Sequence, residues 1–273
     1  MKRVLTALVL FPLVTYVVLW SPPWAVLAVT AAVALLCFYE YSGIAAEYQA
    51  GNAAPRRSAS GFWALPNVLG YIAGMLILAL PGDGQALVTL VSFSLIALSL
   101  ALAADDLRAG ILRAAFLTLG IAYVFGCWRF APLLADQPQT GRYWLLYALM
   151  LNWIGDIGAY YVGRALGRHK LAPVVSPGKS WEGSAASLAA SMTFGLLFLH
   201  WTIPAVPPAV ALALTAVANV CGQFGDLCES ALKRGAGVKD SGTLLPGHGG
   251  WLDRVDSTLF TLPVVYLSVA GRW

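Results

Sequence analysis

Nine apolar runs of about 20 residues each account for most of this 273-residue chain. They lie at about 4–20, 24–42, 62–80, 86–104, 114–135, 142–162, 185–203, 208–232 and 255–272. A helix needs about 20 apolar residues to cross the hydrocarbon core of a bilayer, where a spanning segment must satisfy its backbone polar groups internally. Because 59% of the residues are hydrophobic and only 11% are charged, little is left for a soluble domain. We expect an all-α polytopic membrane protein of about nine transmembrane helices.

Lysine and arginine collect in alternate loops, which gives the chain a predicted orientation. The cationic positions are Lys2/Arg3, Arg56/Arg57, Arg108/Arg113, the 163–184 loop and the 233–254 loop. The loops between them, near 21–23, 81–84, 136–142 and 204–207, are short and carry few cations. Cationic loops stay on the cytoplasmic side of a membrane. The pattern therefore predicts a cytoplasmic N-terminus and, after nine spans, a C-terminus outside.

The two parts of the chain differ in the placement of their charges. Residues 1–140 form five predicted spans, a scaffold in which we favour structural roles for two charges, Arg129 within the fifth span and Glu40 at the membrane interface near the end of the second. Residues 141–273 form four predicted spans with the cytoplasmic loops 163–184 and 233–254. Half of the 30 charged residues lie between Asp156 and Asp256. This second part is the expected catalytic region.

Three groups of carboxylates should meet at one depth of the cytoplasmic leaflet. Asp156 shares a helix face with Asn152 and Tyr160, at spacings of four residues. Asp226 occupies the corresponding half of the eighth run and is followed by Glu229 and Ser230, while Asp253 and Asp256 open the last run. Mg²⁺ takes one or two carboxylates plus phosphate oxygens, so Asp226 with Asp253 or Asp256 would suit it. The alternative is that these acids only pair with Lys233, Arg234 and Arg254.

The segment Ser176–Gly183, S-P-G-K-S-W-E-G, offers a second candidate site. Pro173 stands where a Walker motif needs glycine, so this is not a P-loop. Ser180, with Glu182 close behind, predicts a helix cap whose amides favour an anion near Lys179, and a plain capped loop is the alternative. In P-G-H-G-G, His248 is open to three interpretations: turn residue, phosphate contact or general acid/base. Its neighbours Gly247, Gly249 and Gly250 allow a substrate to approach the backbone closely.

Four blocks resemble one family. They are S-A-L-K-R with K-D-S-G and P-G-H-G-G-W-L-D-R-V-D-S from Ser230 to Ser257, G-D-I-G-A-Y-Y-V-G-R from Gly155, S-P-G-K-S-W-E-G from Ser176, and G-Q-F-G-D-L-C-E-S from Gly222. Together they resemble the phosphatidate cytidylyltransferases, or CDP-diacylglycerol synthases. The resemblance implies that CTP and phosphatidate give CDP-diacylglycerol and pyrophosphate at a bacterial inner (plasma) membrane, with the site facing the cytoplasm.

The resemblance also implies cofactors, partners and residue roles. It implies Mg²⁺ on Asp226 and Asp253, allows a K⁺ ion beside it, and implies a homodimer that binds no nucleic acid. The residues expected in catalysis are Asp226, Lys233, Arg234, Lys239, Asp253, Arg254 and Asp256. Those expected to contact substrate are Asp156, Ser176, Lys179, Ser180, Glu182, Ser230, Lys239, Asp240, His248, Gly249 and Gly250.

Three other functions are compatible with parts of this pattern. A sister enzyme would use CTP on another lipid phosphate, such as an ether lipid. A cation transporter would line its path with Asp156, Asp226 and Asp253, although transport sites usually lie near the membrane midplane. An inactive homologue would be expected to carry broken motifs, and none of these motifs is broken.

Overall fold

The computed structural model describes residues 2–50, 65–244 and 249–271. Helices cover most of the described part of every predicted apolar run. They are α1 (Lys2–Trp20), α2 (Pro23–Ala50), α3 (Leu65–Ala79), α4 (Asp83–Ala101), α5 (Leu107–Gly120), α6 (Phe130–Ala135), α7 (Gly141–Leu166), α8 (Trp181–Thr202), α9 (Pro208–Gly235) and α10 (Leu252–Ala270), with a π-helical segment (Ile121–Gly126) between α5 and α6. The protein is a helical membrane protein.

Five helical stretches of the described residues are long and apolar enough to cross a membrane: Pro23–Gln49, Asp83–Ala101, Leu107–Ala135, Trp181–Thr202 and Pro208–Gly235. Their surfaces agree with contact to lipid. In α4, for example, Leu87, Val88 and Leu95 are 62%, 64% and 58% exposed, and an exposed apolar face of this kind needs an apolar environment. The helices α7 and α10 are not among these five stretches, and both carry predicted site residues, among them Asp156 and Asp253.

A short β-ribbon interrupts the otherwise helical chain. Strands β1 (Lys170–Ala172) and β2 (Ser176–Ser180) pair antiparallel, with Lys170 opposite Ser180 and a register irregularity between Lys170 and Ala172. They lie in the segment that we expected to be a loop, 163–184. The ribbon matters because it delivers the chain directly into α8, whose first residue follows the last residue of β2.

The contacts divide the chain into two compact units. The first unit contains Met1–Val26, Phe130–Ala231 and Val255–Trp273, and the second contains Leu27–Arg129 and Leu232–Arg254. This grouping is discontinuous, so the contacts do not follow a single boundary near residue 140. The functional division of the chain at that boundary stays a prediction.

Within the first unit, small residues let α7 and α8 pack closely. A Cβ atom added to Gly158 would lie 2.9 Å from the Ala190 Cβ and 3.0 Å from the Ala186 carbonyl oxygen. Such small-residue contacts are typical of helix pairs in membranes. Tyr147 on α7 is fully buried, and its hydroxyl lies 2.7 Å from Thr215 Oγ1 on α9. These contacts fix the three helices that form the cavity described below.

Within the second unit, Arg129 has the structural role that we favoured for it. It is 5% exposed and donates hydrogen bonds to the carbonyl oxygens of Ile77 (2.5 Å), Leu80 (2.6 Å) and Pro81 (3.3 Å), at and just beyond the end of α3. A cation is favourable where the last carbonyls of a helix lack partners. Its ion-pair partner, Asp83, lies 3.2 Å away and is exposed.

Candidate active site

A cavity of about 550 Å³ opens between α7, α8 and α9 in the first unit. Its walls carry two carboxylates, Asp156 on α7 and Asp226 on α9, and two cations, Lys179 on β2 and Arg164 on α7. The two cations suit an anionic ligand such as a phosphate, and the two carboxylates suit a divalent metal ion bound with it.

Lys179 reaches Asp226 because of how β2 ends. The strand stops at Ser180, whose Oγ accepts a hydrogen bond from the Gly183 amide at 3.1 Å and so caps α8, as predicted. Lys179, one residue earlier, places its Nζ 2.5 Å from Asp226 Oδ2. Ser230 Oγ, one turn further along α9, donates to Asp226 Oδ1 at 3.4 Å. Two of the other predicted residues, Lys179 and Ser230, therefore both contact Asp226.

One face of α7 supplies the opposite wall of the cavity. The predicted trio Asn152, Asp156 and Tyr160 all line it, and Arg164 continues the four-residue spacing. Arg164 Nη1 donates to the Tyr160 hydroxyl at 3.1 Å. We had not placed Arg164 among the site residues, although the same spacing on the same helix predicts it.

A ladder of polar side chains closes the inner end of the cavity. Gln223 accepts a hydrogen bond from Ser184 Oγ and donates to Asn219 Oδ1 at 2.7 Å. Asn219 Nδ2 in turn donates to Ser187 Oγ at 3.0 Å and Ser191 Oγ at 2.9 Å. These bonds join α8 to α9, and Gln223 lies three residues before Asp226. The ladder therefore sets the position of Asp226 relative to the start of α8.

Glu182 holds the protein backbone. Its carboxylate accepts hydrogen bonds from the amides of Arg168 and His169 at 3.2 Å, and it lies 2.6 Å from His169 Nδ1. These contacts tie the first turn of α8 to the chain leading into β1. Through these contacts Glu182 helps to position the nearby Lys179. The substrate contact that we predicted for Glu182 stays a prediction.

In the second unit, Asp253 lies at the centre of a hydrogen-bonded cluster. Lys233 donates to Oδ1, while the amides of Ser241 and Gly250 donate to Oδ2 at 3.0 and 2.8 Å. Burial raises the pKa of this carboxyl, but the hydrogen bonds from Lys233, Gly250 and Ser241 outweigh burial and hold the pKa below its ordinary value. Asp253 is therefore ionised at neutral pH.

The turn beyond α9 positions Lys233 for this contact. Gly237, at φ +72°, ends the helix in a Schellman motif, in which the Gly237 amide donates to the Arg234 carbonyl and the Val238 amide donates to the Lys233 carbonyl. Only glycine adopts this left-handed conformation without strain. The motif reverses the chain, and Ser241 follows three residues later.

The glycines that we expected to admit substrate lie against carboxylates of this chain. Gly249 has φ +77°, and a Cβ atom there would lie 2.7 Å from Asp253 Oδ2. A Cβ atom on Gly250 would overlap both Ser241 Oγ and Glu40 Oε2. In the described residues, then, the close approach at Gly249 and Gly250 serves internal contacts.

The other predicted residues have simpler surroundings. Ser176 begins β2, Asp256 Oδ1 accepts the Ser257 amide at 2.7 Å, and Arg234 Nη1 donates to the Val238 carbonyl at 3.4 Å. Lys239, Asp240 and Arg254 are exposed. His248 lies outside the described residues. Arg164, Gln223 and Ser241 were not among the predicted site residues. The contacts of Glu40, described below, were not predicted either.

The donor set fits magnesium better than a softer metal. The carboxylates of Asp156 and Asp226 line the cavity beside amide and hydroxyl oxygens, and oxygen ligands are those that Mg²⁺ prefers. Among the described residues, no group of three or more His, Cys, Asp or Glu side chains is placed to hold a metal by itself. A magnesium ion here would therefore need oxygens from substrate or water.

The fold and the cavity together define a helical membrane protein with a site suited to a phosphorylated ligand. The chain belongs to the cytidylyltransferase family, whose sequence model matches residues 1–270. It is 37% identical over 210 residues to the phosphatidate cytidylyltransferase of Staphylococcus saprophyticus, covering 75% of this chain and 79% of that protein.

Two further relatives carry the same name. The Bacillus subtilis protein is 41% identical over 155 residues, covering 57% of this chain and 58% of its own length. The Staphylococcus aureus (strain COL) protein is 36% identical over 210 residues, covering 75% and 79%.

Proposed function

We propose that this protein transfers the cytidylyl group of CTP to phosphatidate and releases pyrophosphate, giving CDP-diacylglycerol for phospholipid synthesis. The observation that carries the proposal is the cavity in which Asp156, Asp226, Lys179 and Arg164 face one another among membrane helices. Membership of the cytidylyltransferase family and the names of the bacterial relatives support the same reaction.

The reaction requires neutralisation of the negative charge on the triphosphate more than it requires a general acid or base. A phosphate oxygen of phosphatidate attacks the α-phosphorus of CTP, a new P–O bond forms, and the bond between the α-phosphorus and the bridging oxygen breaks as pyrophosphate leaves. The attacking phosphate is already ionised near neutral pH, so it needs no base. Lys179 and Arg164 stabilise the negative charge that grows on the triphosphate. Lys233, Arg234, Lys239 and Arg254 add to this electrostatic stabilisation.

The metal assignment belongs to the proposal. Asp226 and Asp253 are the proposed Mg²⁺ ligands, with Asp156 and Asp256 orienting metal-bound water. Bound there, Mg²⁺ would neutralise the charge on the triphosphate and the leaving group. Each of the two ligands has a lysine partner in its own unit, Lys179 for Asp226 and Lys233 for Asp253. A K⁺ ion beside the magnesium and a homodimeric assembly are further parts of the proposal.

The membrane arrangement follows from the substrates. CTP is cytosolic and phosphatidate lies in the bilayer, so the site must open to both. We propose nine spans with the N-terminus and the 163–184 and 233–254 loops in the cytoplasm. Bacterial relatives make a bacterial membrane the expected location.

The rival functions gain no support from the cavity. A cation pathway lined by Asp156 and Asp226 would have to pass Lys179 and Arg164, whose charges repel a cation. A CTP-dependent enzyme for an ether-lipid phosphate would use the same cavity, and only the acceptor lipid would distinguish it.

The decisive experiment is release of labelled pyrophosphate from CTP by purified protein in detergent. Turnover should require CTP, phosphatidate and Mg²⁺ together. Asp226→Asn and Asp253→Asn should each lower turnover by a factor of about 10²–10³, while Asp136→Asn, which changes an exposed loop carboxylate, should not. Near-normal activity in both variants would refute the metal assignment.

Inactivity of the wild-type protein would also be informative. A folded sample that binds CTP but does not turn over with phosphatidate would point to the ether-lipid acceptor. Failure to bind CTP would remove the cytidylyltransferase proposal and leave the transporter to be tested.

A further inference from the structure

Glu40 is a buried carboxylate that lies far from the C-terminal motifs in sequence. It belongs to α2, in the part of the chain predicted to be scaffold, and it is 2% exposed. A buried carboxylate is costly unless several donors bind it. The hydrogen-bond partners of Glu40 therefore indicate its role.

In the part of the chain that the structure describes, Glu40 accepts hydrogen bonds from Ser241, Trp251 and Leu252. Its Oε2 accepts from Ser241 Oγ and from the Leu252 amide, both at 2.8 Å, and its Oε1 accepts from the Trp251 amide at 3.0 Å. Leu252 is the first residue of α10, so Glu40 places a negative charge at the N-terminus of that helix, where it is favourable. Glu40 thus forms a clamp, in which one carboxylate holds Ser241 together with the backbone of Trp251 and Leu252.

The same two stretches bind Asp253. Ser241 and Gly250 donate their amides to Asp253 Oδ2, and the Asp253 amide lies 3.4 Å from Ser241 Oγ. Ser241 therefore contacts both carboxylates, with its hydroxyl on Glu40 and its amide on Asp253. Displacement of Ser241 from Glu40 would move a donor of Asp253.

Glycine makes the clamp possible. A Cβ atom on Gly242 would lie 2.6 Å from Glu40 Oε1, and one on Gly250 would overlap Glu40 Oε2. The loop therefore folds directly over the carboxylate, and a shift of Glu40 would be passed on to the backbone that holds Asp253.

We propose that Glu40 is a positioning residue for the reaction, which fixes Ser241 and the start of α10 so that Asp253 presents its carboxylate to the metal. The proposal rests on the role of Asp253 given above. Loss of such an outer partner typically costs about 10- to 100-fold in metal affinity or activity. Because Glu40 is only 2% exposed, we expect it not to contact the substrate lipid, and lipid binding should be unaffected.

The test is Glu40→Gln in the full-length protein, read out as metal affinity as well as turnover. The amide keeps the shape of the side chain but turns one acceptor into a donor that faces backbone N–H groups. The half-saturating Mg²⁺ concentration for turnover and the dissociation constant for Mn²⁺ alone, measured by electron paramagnetic resonance, should both rise about 10-fold or more. The KM for phosphatidate should not change. Glu47→Gln, the same change two turns along α2, is the matched control and should leave both values as in the wild type.

Three outcomes would overturn the proposal. One is a Glu40→Gln protein that melts at a lower temperature but keeps wild-type Mg²⁺ dependence and Mn²⁺ affinity, since Glu40 would then only stabilise the fold. If Glu40→Gln does not fold, the variant to test is Ser241→Ala, which removes one of the three donors. It should raise the half-saturating Mg²⁺ concentration and the Mn²⁺ dissociation constant by a smaller factor. The second outcome against the proposal is no change in either value. Asp253→Asn is the reference: unchanged Mn²⁺ affinity there would refute the role of Asp253 and this proposal together. The first outcome, together with weak Mn²⁺ binding in Asp253→Asn, would refute the positioning role alone.

Discussion

We expect the Lys179–Asp226 ion pair to contribute more to ligand binding than to folding. The two side chains are 26% and 31% exposed, and pairs open to solvent add only about 0–1 kcal/mol to stability. The pair lines the cavity, where a cation beside an ionised carboxylate suits a metal–phosphate ligand. We therefore expect the position of the pair to affect ligand binding in the cavity more than the free energy of unfolding.

We expect Lys179→Gln to lower kcat/KM for CTP by a factor of about 10²–10³, because the variant loses a cation facing the triphosphate. The free energy of unfolding should change by less than about 1 kcal/mol. The measurements are steady-state turnover with labelled CTP and denaturant unfolding in detergent. Lys170→Gln, on the paired strand and exposed, removes the same charge without touching the cavity. Equal loss in the two variants would show that Lys179 acts only through net charge.

At the scale of elements, the polar ladder between α8 and α9 fixes the geometry of the cavity. Ser184, Ser187 and Ser191 on α8 face Gln223 and Asn219 on α9. Side chains of this kind hydrogen-bond across helices in membranes, with coupling energies that average about 0.6 kcal/mol and reach about 1.7 kcal/mol. The ladder should therefore stabilise one relative position of the two helices.

A double-mutant cycle on Ser184→Ala and Gln223→Ala should show a coupling energy of about 0.5–1.5 kcal/mol in unfolding from detergent. Gln223→Ala should also lower turnover, because Asp226 lies on the next turn of α9. Thr193→Ala is the control on α8, since among the described residues the Thr193 hydroxyl donates to the Ala189 carbonyl of its own helix. Additive effects for Ser184 and Gln223 would mean that their hydrogen bond contributes nothing to the packing of the helices.

The helices were predictable from the sequence, and the contacts that build the site were predictable only in part. Run lengths placed the helices, and the four-residue spacing placed Asn152, Asp156 and Tyr160 on one helix face. The structure shows that all three line the cavity. The ribbon was missed, because S-P-G-K-S is short and rich in turn residues. Glu40 could not be connected to Ser241, because 201 residues separate them and periodicity reports only local structure.

At the scale of the whole molecule, the orientation in the membrane can be tested with cysteines. In a variant whose four native cysteines are replaced, Val174→Cys in the ribbon turn should react with a membrane-impermeant maleimide only after cells are permeabilised. Ala205→Cys, between α8 and α9, should react in intact cells, because the positive-inside rule places that loop outside. Both positions are exposed, so reactivity reports the side of the membrane. The reverse pattern would invert the proposed topology.

The β1–β2 ribbon also limits how the chain can vary in length. Successive residues of a strand point to opposite faces, so a one-residue deletion in β2 would turn Lys179 away from Asp226, whereas a substitution would change only one side chain. Between the two paired positions, β1 advances two residues (Lys170 to Ala172) while β2 advances four (Ser176 to Ser180), so the register irregularity places the extra residues in β2. We expect insertions and deletions to be accepted in the turn at 173–175, while the number of residues from Ser176 to the cap at Ser180 stays constant.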